Sequence, residues 1–283
     1  MPCLPATDME QVRVHCDALG GIVEVPARPQ RVVSFVAGLT EAMVEMGHRE
    51  QIAGVSAYCH RYVPDLEAPV VGDYLTADEN LLRELSPDLV LVTTGIQRRL
   101  ARHLQRIGLP VYAFPLPSTV HGVLENVVLL GGLLGDAAAG RRLAQWWLGE
   151  LEETRRRASP SLPRVYSELW FGRHARVPGG LSFVSDIIHY AGGDNVYGGE
   201  ARAYMTLDPA DVPNRKPDVW LLFWEPEHPV DGEVLRRERG WDKELGRLRL
   251  IEATVEPEHN VIHDGPSMVR AVRWLSERLH ECA

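Results

Sequence analysis

The sequence predicts an α/β protein of two lobes, each built on a central parallel sheet, joined by one long helix. Three observations lead there. Short apolar runs alternate with helical patterns along most of the chain, as they do in parallel sheets covered on both faces. A stretch near residue 76 is echoed near residue 206. Between the two lies a helical segment, residues 136 to 158, with no proline from Ala137 to Ala158 to bend it. At 283 residues the chain also exceeds the usual size of a single core, which favours two.

Each element can be justified in order. In "VRVHCDALGGIVEVPARPQRVVSF", Gly20-Gly21 marks a hairpin turn, and Pro26 and Pro29 end its second strand. Arg31 to Val36 reads as a strand buried on both faces, and Thr40 to Met46 as a helix stopped by Gly47. Ile52 to Val55 is the next strand. Asp78 to Leu85 is a helix, with Thr76 and Glu79 spaced as a capping box. "LVLVTT" and "PVYAF" are strands flanking a helix over Gln97 to Ile107. Residues 118 to 135 form one helix and 136 to 158 the long one. In the latter Leu143, Trp146, Trp147 and Leu151 recur at helical spacing, able to pack it against the lobes. After Pro163 the pattern restarts with the strand "RVYSELWF" and a helix from Phe183 to Tyr190. "TADENLLRELSPDLVLV" and "TLDPADVPNRKPDVWLL" then place Thr, Asp and a Pro-Asp pair at identical offsets, each ahead of a buried strand. The expected lobes are residues 12–135 and 159–283, with 136–158 between them.

Composition excludes several functions. A net charge of −9 argues against a nucleic-acid binder, which needs a basic face to displace counterions. No run of about 18 apolar residues exists to span a membrane. The N-terminus "MPCLPATDMEQVRV" has neither a basic n-region nor an apolar h-region, so no secretion signal is expected in the sequence as it stands. None of Cys3, Cys16, Cys59 and Cys282 forms a CxxC pair; only a Cys3–Cys282 pairing near the termini stays open. The glycine fingerprint of dinucleotide sites, the phosphate loop, the GxSxG elbow and HExxH are all absent, so no catalytic residues are assigned.

Binding residues are sought where open parallel sheets place ligands, beyond the carboxyl ends of their strands. Tyr58, Cys59, His60, Tyr62 and Tyr74 follow strands in the first half. Trp170, Phe171, Phe183, Tyr204, Trp224 and Trp241 do so in the second. Adjacent residues on an extended segment face opposite ways, so Cys59 and His60 make a poor nucleophile-base pair. Cys59 is either a small packed hydrophobe or a soft metal ligand. His60, His174 and His263 alone among the histidines follow strands, too few to assign a metal site.

"DALGGIVEVPARPQRVVSF", "LTEAMVEMGHREQIAGVSAYCHRYVPDLEAPVVGDYLTADENLLRELSPDLVLVTTG", "IIHYAGGDNVY" and "GPSMVRAVRWLSERL" together resemble the metal-chelate substrate-binding proteins of ABC importers. The resemblance implies two Rossmann-like lobes bridged by a rigid helix, and a chelate held between them with little hinge motion. Tyr58, Cys59, His60, Tyr74, Trp170, Phe171, Trp224 and His263 would line that site. A corrinoid such as cobalamin is the first ligand, since the aromatics have no clear cationic cluster among them. A ferric siderophore or haem is second, with Arg98, Arg99 or Arg173 available to an anionic one. No intrinsic cofactor is expected, and the protein is expected to be a monomer with an ABC permease as partner. Family members are periplasmic or on the cell surface, whereas the sequence as it stands leaves a cytoplasmic place open. Three departures stand out. The leader is missing. Ala191 and Ser276 occupy positions where cobalamin-binding members carry a disulfide. Asn80 and Ala210 occupy those of the glutamates that dock on the permease, leaving Glu79 and Asp211 one residue away. The alternatives are an intracellular enzyme or ligand sensor on the same fold, or a metal-ion receptor.

Overall fold

The computed structural model describes residues 10–281; Cys3 and Cys282, and with them their possible pairing, lie outside the described residues. Two compact units emerge. The first holds the chain up to Leu116 together with Leu124–Gln145; the second holds Pro117–Val123 and the chain from Trp146.

The first unit opens with the expected hairpin, β1 (Gln11–Cys16) paired antiparallel to β2 (Gly21–Pro26). Gly20 takes φ +68 in the turn, a conformation that suits a residue without Cβ. β3 (Val32–Ser34), α1 (Ala37–Glu45), β4 (Ile52–Ser56), β5 (Val70–Gly72), α2 (Glu79–Leu85), β6 (Leu89–Thr93), α3 (Arg98–Arg106) and β7 (Val111–Phe114) follow. Their sheet is ordered β5-β4-β3-β6-β7 and is parallel throughout. β3 is shorter than the apolar run suggested, because the Val36 amide turns back onto Ser34 Oγ at 3.3 Å and helix α1 starts at Ala37. The cap of α2 also differs from expectation. Asp78 is the N-cap, accepting from the amides of Asn80 and Leu81 at 3.0 Å each, while Glu79 bonds Arg83 and His103.

α4 (Val120–Leu133) and α5 (Ala137–Arg157) come next. The two helices touch backbone to backbone at Gly131 and Gly140. A Cβ on Gly131 would lie 2.9 Å from the Cα of Gly140, too close for any side chain. α5 is continuous over 21 residues. Trp147 and Leu151 are fully buried, but Trp146, expected to pack as well, is 50% exposed; one residue further round the helix is enough to leave the packed face.

The second unit continues with β8 (Arg164–Phe171), β9 (His174–Pro178), α6 (Phe183–Tyr190), β10 (Asp194–Asn195), β11 (Tyr204–Thr206), α7 (Val212–Arg215), β12 (Val219–Phe223), α8 (Gly232–Glu238), α9 (Trp241–Glu244), β13 (Arg249–Ala253) and α10 (Met268–His280). The sheet order is β11-β9-β8-β12-β13. β8, β12 and β13 are parallel; β9 and β11 are antiparallel additions; β10 pairs with the start of β8.

The internal echo is a shared structural device. Ser86 and Lys216 end α2 and α7 in the left-handed conformation, at φ 46 and φ 50. The aspartate two residues on then grips the strand beside it. Asp88 accepts from the Gln30 and Arg31 amides at 2.9 Å, and Asp218 from the Arg164 amide at 2.8 Å. Arg31 and Arg164 donate back to the carbonyls of Ser86 and Lys216.

Candidate functional site

The carboxyl ends of the first unit's strands are tied together by buried hydroxyl and amide groups. Cys59 lies in a 3-10 turn, Cys59–Arg61, directly after β4. Its thiol receives a hydrogen bond from Thr40 Oγ1 at 3.2 Å, stands 3.3 Å from Ser56 Oγ, and is 0% exposed. Burial pushes the thiol pKa up, against the hydroxyls that lower it. Cys59 is thus a neutral thiol that joins α1 to β4, fully buried, whereas the resemblance implied a residue lining the ligand. After β6, Gln97 is equally buried. It accepts from the Thr93 amide at 2.8 Å and donates to the Phe35 carbonyl at 3.1 Å.

Other residues of these loops are exposed. Tyr58 and Tyr74 are 36% and 39% exposed and meet edge to face, with ring centroids 5.5 Å apart. Arg61 sits over the Tyr58 ring at 5.3 Å. Asp73 holds the next turn by accepting from the Leu75 and Thr76 amides at 2.7 and 2.8 Å, and those bonds keep its carboxyl below the usual range. Leu75, Ile96 and Leu116, after β5, β6 and β7, are each more than half exposed. Sequence reasoning missed these three. The available signal was a lone apolar residue in each of the loops "DYLTA", "TTGIQ" and "FPLPS". His60 is half-buried in the 3-10 turn.

In the second unit the strand ends are aromatic. Phe171 meets Tyr204 edge to face at 6.3 Å and Phe223 at 6.4 Å. Trp170 and Trp224 project the other way, partly buried against a core of Tyr166, Trp220, Leu222 and Trp241. The Gly172 amide donates to Glu225 at 2.7 Å, tying the loop after β8 to the end of β12. His263 is buried, at 6% exposure. Sequence reasoning also missed Glu168, a lone carboxylate in the apolar strand "RVYSELWF". It is 0% exposed and paired with Arg239 at 2.8 Å.

The expected docking carboxylates are engaged within their own units. Glu79 accepts from His103 at 2.8 Å and from Arg83 at 2.9 Å; both, His103 foremost, hold its carboxyl below the usual range. Asp211 accepts from Arg215 and from the Tyr197 hydroxyl, each at 3.0 Å. Burial, and then this Asp211 bond, push the Tyr197 hydroxyl pKa up. Ala191 and Ser276 are both buried.

Three surface grooves of about 400, 480 and 410 Å³ lie away from these ends. They are lined respectively by Ser161, Asp218, Arg247 and Arg249, by Glu150, Arg157, Arg273 and Glu277, and by Arg49, Asp65 and Pro69. None of them includes a candidate binding residue. Among the described residues no three His, Cys, Asp or Glu side chains gather as a metal site, and no helix is long and apolar enough to cross a membrane.

Comparison with known proteins agrees with this fold. The "Cobalamin-binding protein" of Halobacterium salinarum is 26% identical over 211 residues, 72% of this chain and 56% of that protein. The chain therefore spans just over half the length of that relative. The "Vitamin B12-binding protein" of Vibrio parahaemolyticus is 23% identical over 221 residues, 78% of each chain. Among solved structures, the periplasmic heme-binding protein RhuT of Roseiflexus sp. RS-1 superposes with a TM-score of 0.73 at 22% identity, over 89% of this chain and 98% of its own. The periplasmic vitamin B12 binding protein BtuF of Vibrio cholerae gives 0.68 at 18% identity, over 89% and 96%. The family model described as periplasmic binding protein matches residues 18–243, and on that match the chain belongs to the periplasmic binding protein family.

Proposed function

We propose that this chain is the substrate-binding component of an ABC importer and holds a metal chelate, in the first place cobalamin or another corrinoid. The observation that carries the reading is the character of the strand ends. Tyr58, Tyr74, Leu75, Ile96 and Leu116 in one unit, and Phe171, Trp170 and Trp224 in the other, offer mostly uncharged, flat and aliphatic surface where sheets of this kind bind ligands. A corrinoid presents a broad apolar ring face edged with amides, which such surface suits. Two relatives named for cobalamin or vitamin B12 support the same choice. Haem is the second choice, favoured by the name of the RhuT structure, and a ferric siderophore is included with it.

The protein acts by binding without turnover. The one thiol among the site candidates is buried and neutral, so it offers no nucleophile. A permease partner would meet Glu79 and Asp211 only by competing with Arg83, His103 and Arg215 for them. Absorbance titration of the purified protein with cyanocobalamin, haemin and ferric siderophores tests the reading. Saturable binding strongest for cyanocobalamin is expected. Indifference to all three would overturn it, and tight binding of haemin alone would replace the first ligand with the second.

A further inference from the structure

Glu168 is a buried carboxylate with every hydrogen-bonding direction used. Oε2 accepts from the Tyr166 hydroxyl at 2.7 Å and from Arg239 Nη1 at 2.8 Å. Oε1 accepts from the Trp170 indole at 2.8 Å and from Arg239 Nη2 at 2.9 Å. Arg239 itself stacks on two tryptophans, 4.8 Å from the Trp241 ring and 5.6 Å from the Trp220 ring. Tyr166, Glu168 and Trp170 share one face of β8, since they are two residues apart on a strand. A buried ion pair contributes little net stability over well-packed apolar residues. A pair of this kind calls for another role, and the bond to the Trp170 indole supplies one. That indole sits at the carboxyl end of β8, partly buried on one side, and the bond adds to that packing a directional constraint on χ1 and χ2. A carboxylate that is itself clamped by an arginine holds the ring in one plane.

From this geometry we infer that Glu168 and Arg239 are positioning residues for ligand recognition: the clamped carboxylate fixes the plane of the Trp170 indole so that a flat conjugated chelate meets it ready to stack. The inference rests on the binding function proposed above. It makes the ion pair act through Trp170 rather than on the ligand, and an ordered ring binds better because less rotamer freedom is lost.

Four proteins test it: wild type, Trp170→Phe, the apolar pair replacement Glu168→Met with Arg239→Met, and that double variant carrying Trp170→Phe as well. Trp170→Phe keeps a ring but removes the N–H. The near-UV circular dichroism of Trp170 is read as the difference made by Trp170→Phe in each background, and cyanocobalamin and haemin are the probes for affinity. Expected are unchanged far-UV spectra, a Trp170 band lost in the double Met variant, and chelate binding weakened about tenfold in it. Adding Trp170→Phe to that background should then cost less than twofold. The inference is overturned if the Trp170 band survives the double replacement, or if that variant binds within twofold of wild type. Should wild type bind neither probe, the importer reading fails, while the spectral comparison still decides whether the pair orders the ring. If the double Met variant does not fold, Arg239→Lys in the wild-type background, which keeps the buried cation but loses the two-point clamp on the carboxylate, is read in the same two ways.

Discussion

The two units start alike and finish differently. In each, a helix ends in a left-handed residue, a Pro-Asp pair follows, and the aspartate grips the amide of the neighbouring strand. That clip sits at the amino ends of β6 and β12. Beyond it the first unit adds two parallel strands, β4 and β5, on the far side of β3, whereas the second adds the antiparallel pair β9 and β11 to β8. The carboxyl ends diverge furthest. Cys59, Gln97 and three hydroxyls knit those of the first unit, which contains none of the chain's seven tryptophans. The second unit has all seven, and several are built around a buried ion pair. The lesson is that the frame repeats where it only has to start a strand, and varies where a ligand would be met.

The largest effect expected from this contrast is on stability. Glu168→Ala leaves Arg239 buried without its partner and should destabilise the second unit by about 3–5 kcal/mol. Tryptophan fluorescence in denaturant would read that unit alone, since the first has no tryptophan. A midpoint shifted by less than about 1 kcal/mol would mean that the pair is hydrated or dispensable. Next comes affinity. Trp224→Ala should weaken chelate binding by about 2 kcal/mol, and Tyr58→Ala by about 1 kcal/mol, the scale of losing an aromatic contact. Equal losses would erase the distinction between the two aromatic surfaces. Affinity should also vary little with salt, because stacking and desolvation are not screened; a steep salt dependence in the same titrations would point to ionic recognition instead.

A third expectation concerns acid. The carboxyls of Glu79 and Asp73 are held low in the folded protein. Each therefore contributes stability that is present above the ordinary carboxylate range and is lost as pH falls through the depressed folded value. Glu79→Gln should lower the first unit's stability near neutral pH and flatten its acid limb below about pH 4.5, read by hydrogen exchange of β3, β6 and α2, with the two proteins converging in acid. An unaltered acid limb would show that the Arg83 and His103 bonds are too solvated to matter. The smallest effect is at the surface. Ile96→Ser should change stability by less than about 0.5 kcal/mol while lowering chelate affinity measurably. If it lowers neither, Ile96 lies outside the binding surface.

The sequence by itself determined the alternation of strands and helices, the hairpin at Gly20-Gly21, the limits of α6, and the repeated Pro-Asp device, because each is written in local chemistry: glycine and proline stops, apolar runs, a fixed offset. It also carried the family, through the order of several stretches none of which is decisive alone. Only the tertiary structure decided which residues face outward. Cys59 and Tyr58 are neighbours in a polar, aromatic stretch, yet one is fully buried and the other exposed, because hydroxyls from Thr40 and Ser56, brought in by other elements, capture the thiol. Leu75, Ile96 and Leu116 are apolar yet outward, while Gln97 in the same set of loops is buried with both ends of its amide bonded, as a buried amide must be. Glu168 and Arg239 are 71 residues apart, and no local pattern announces that they meet. Pairings of that kind depend on strand order and on the packing of distant segments, and a single sequence records the partners without recording the pairing.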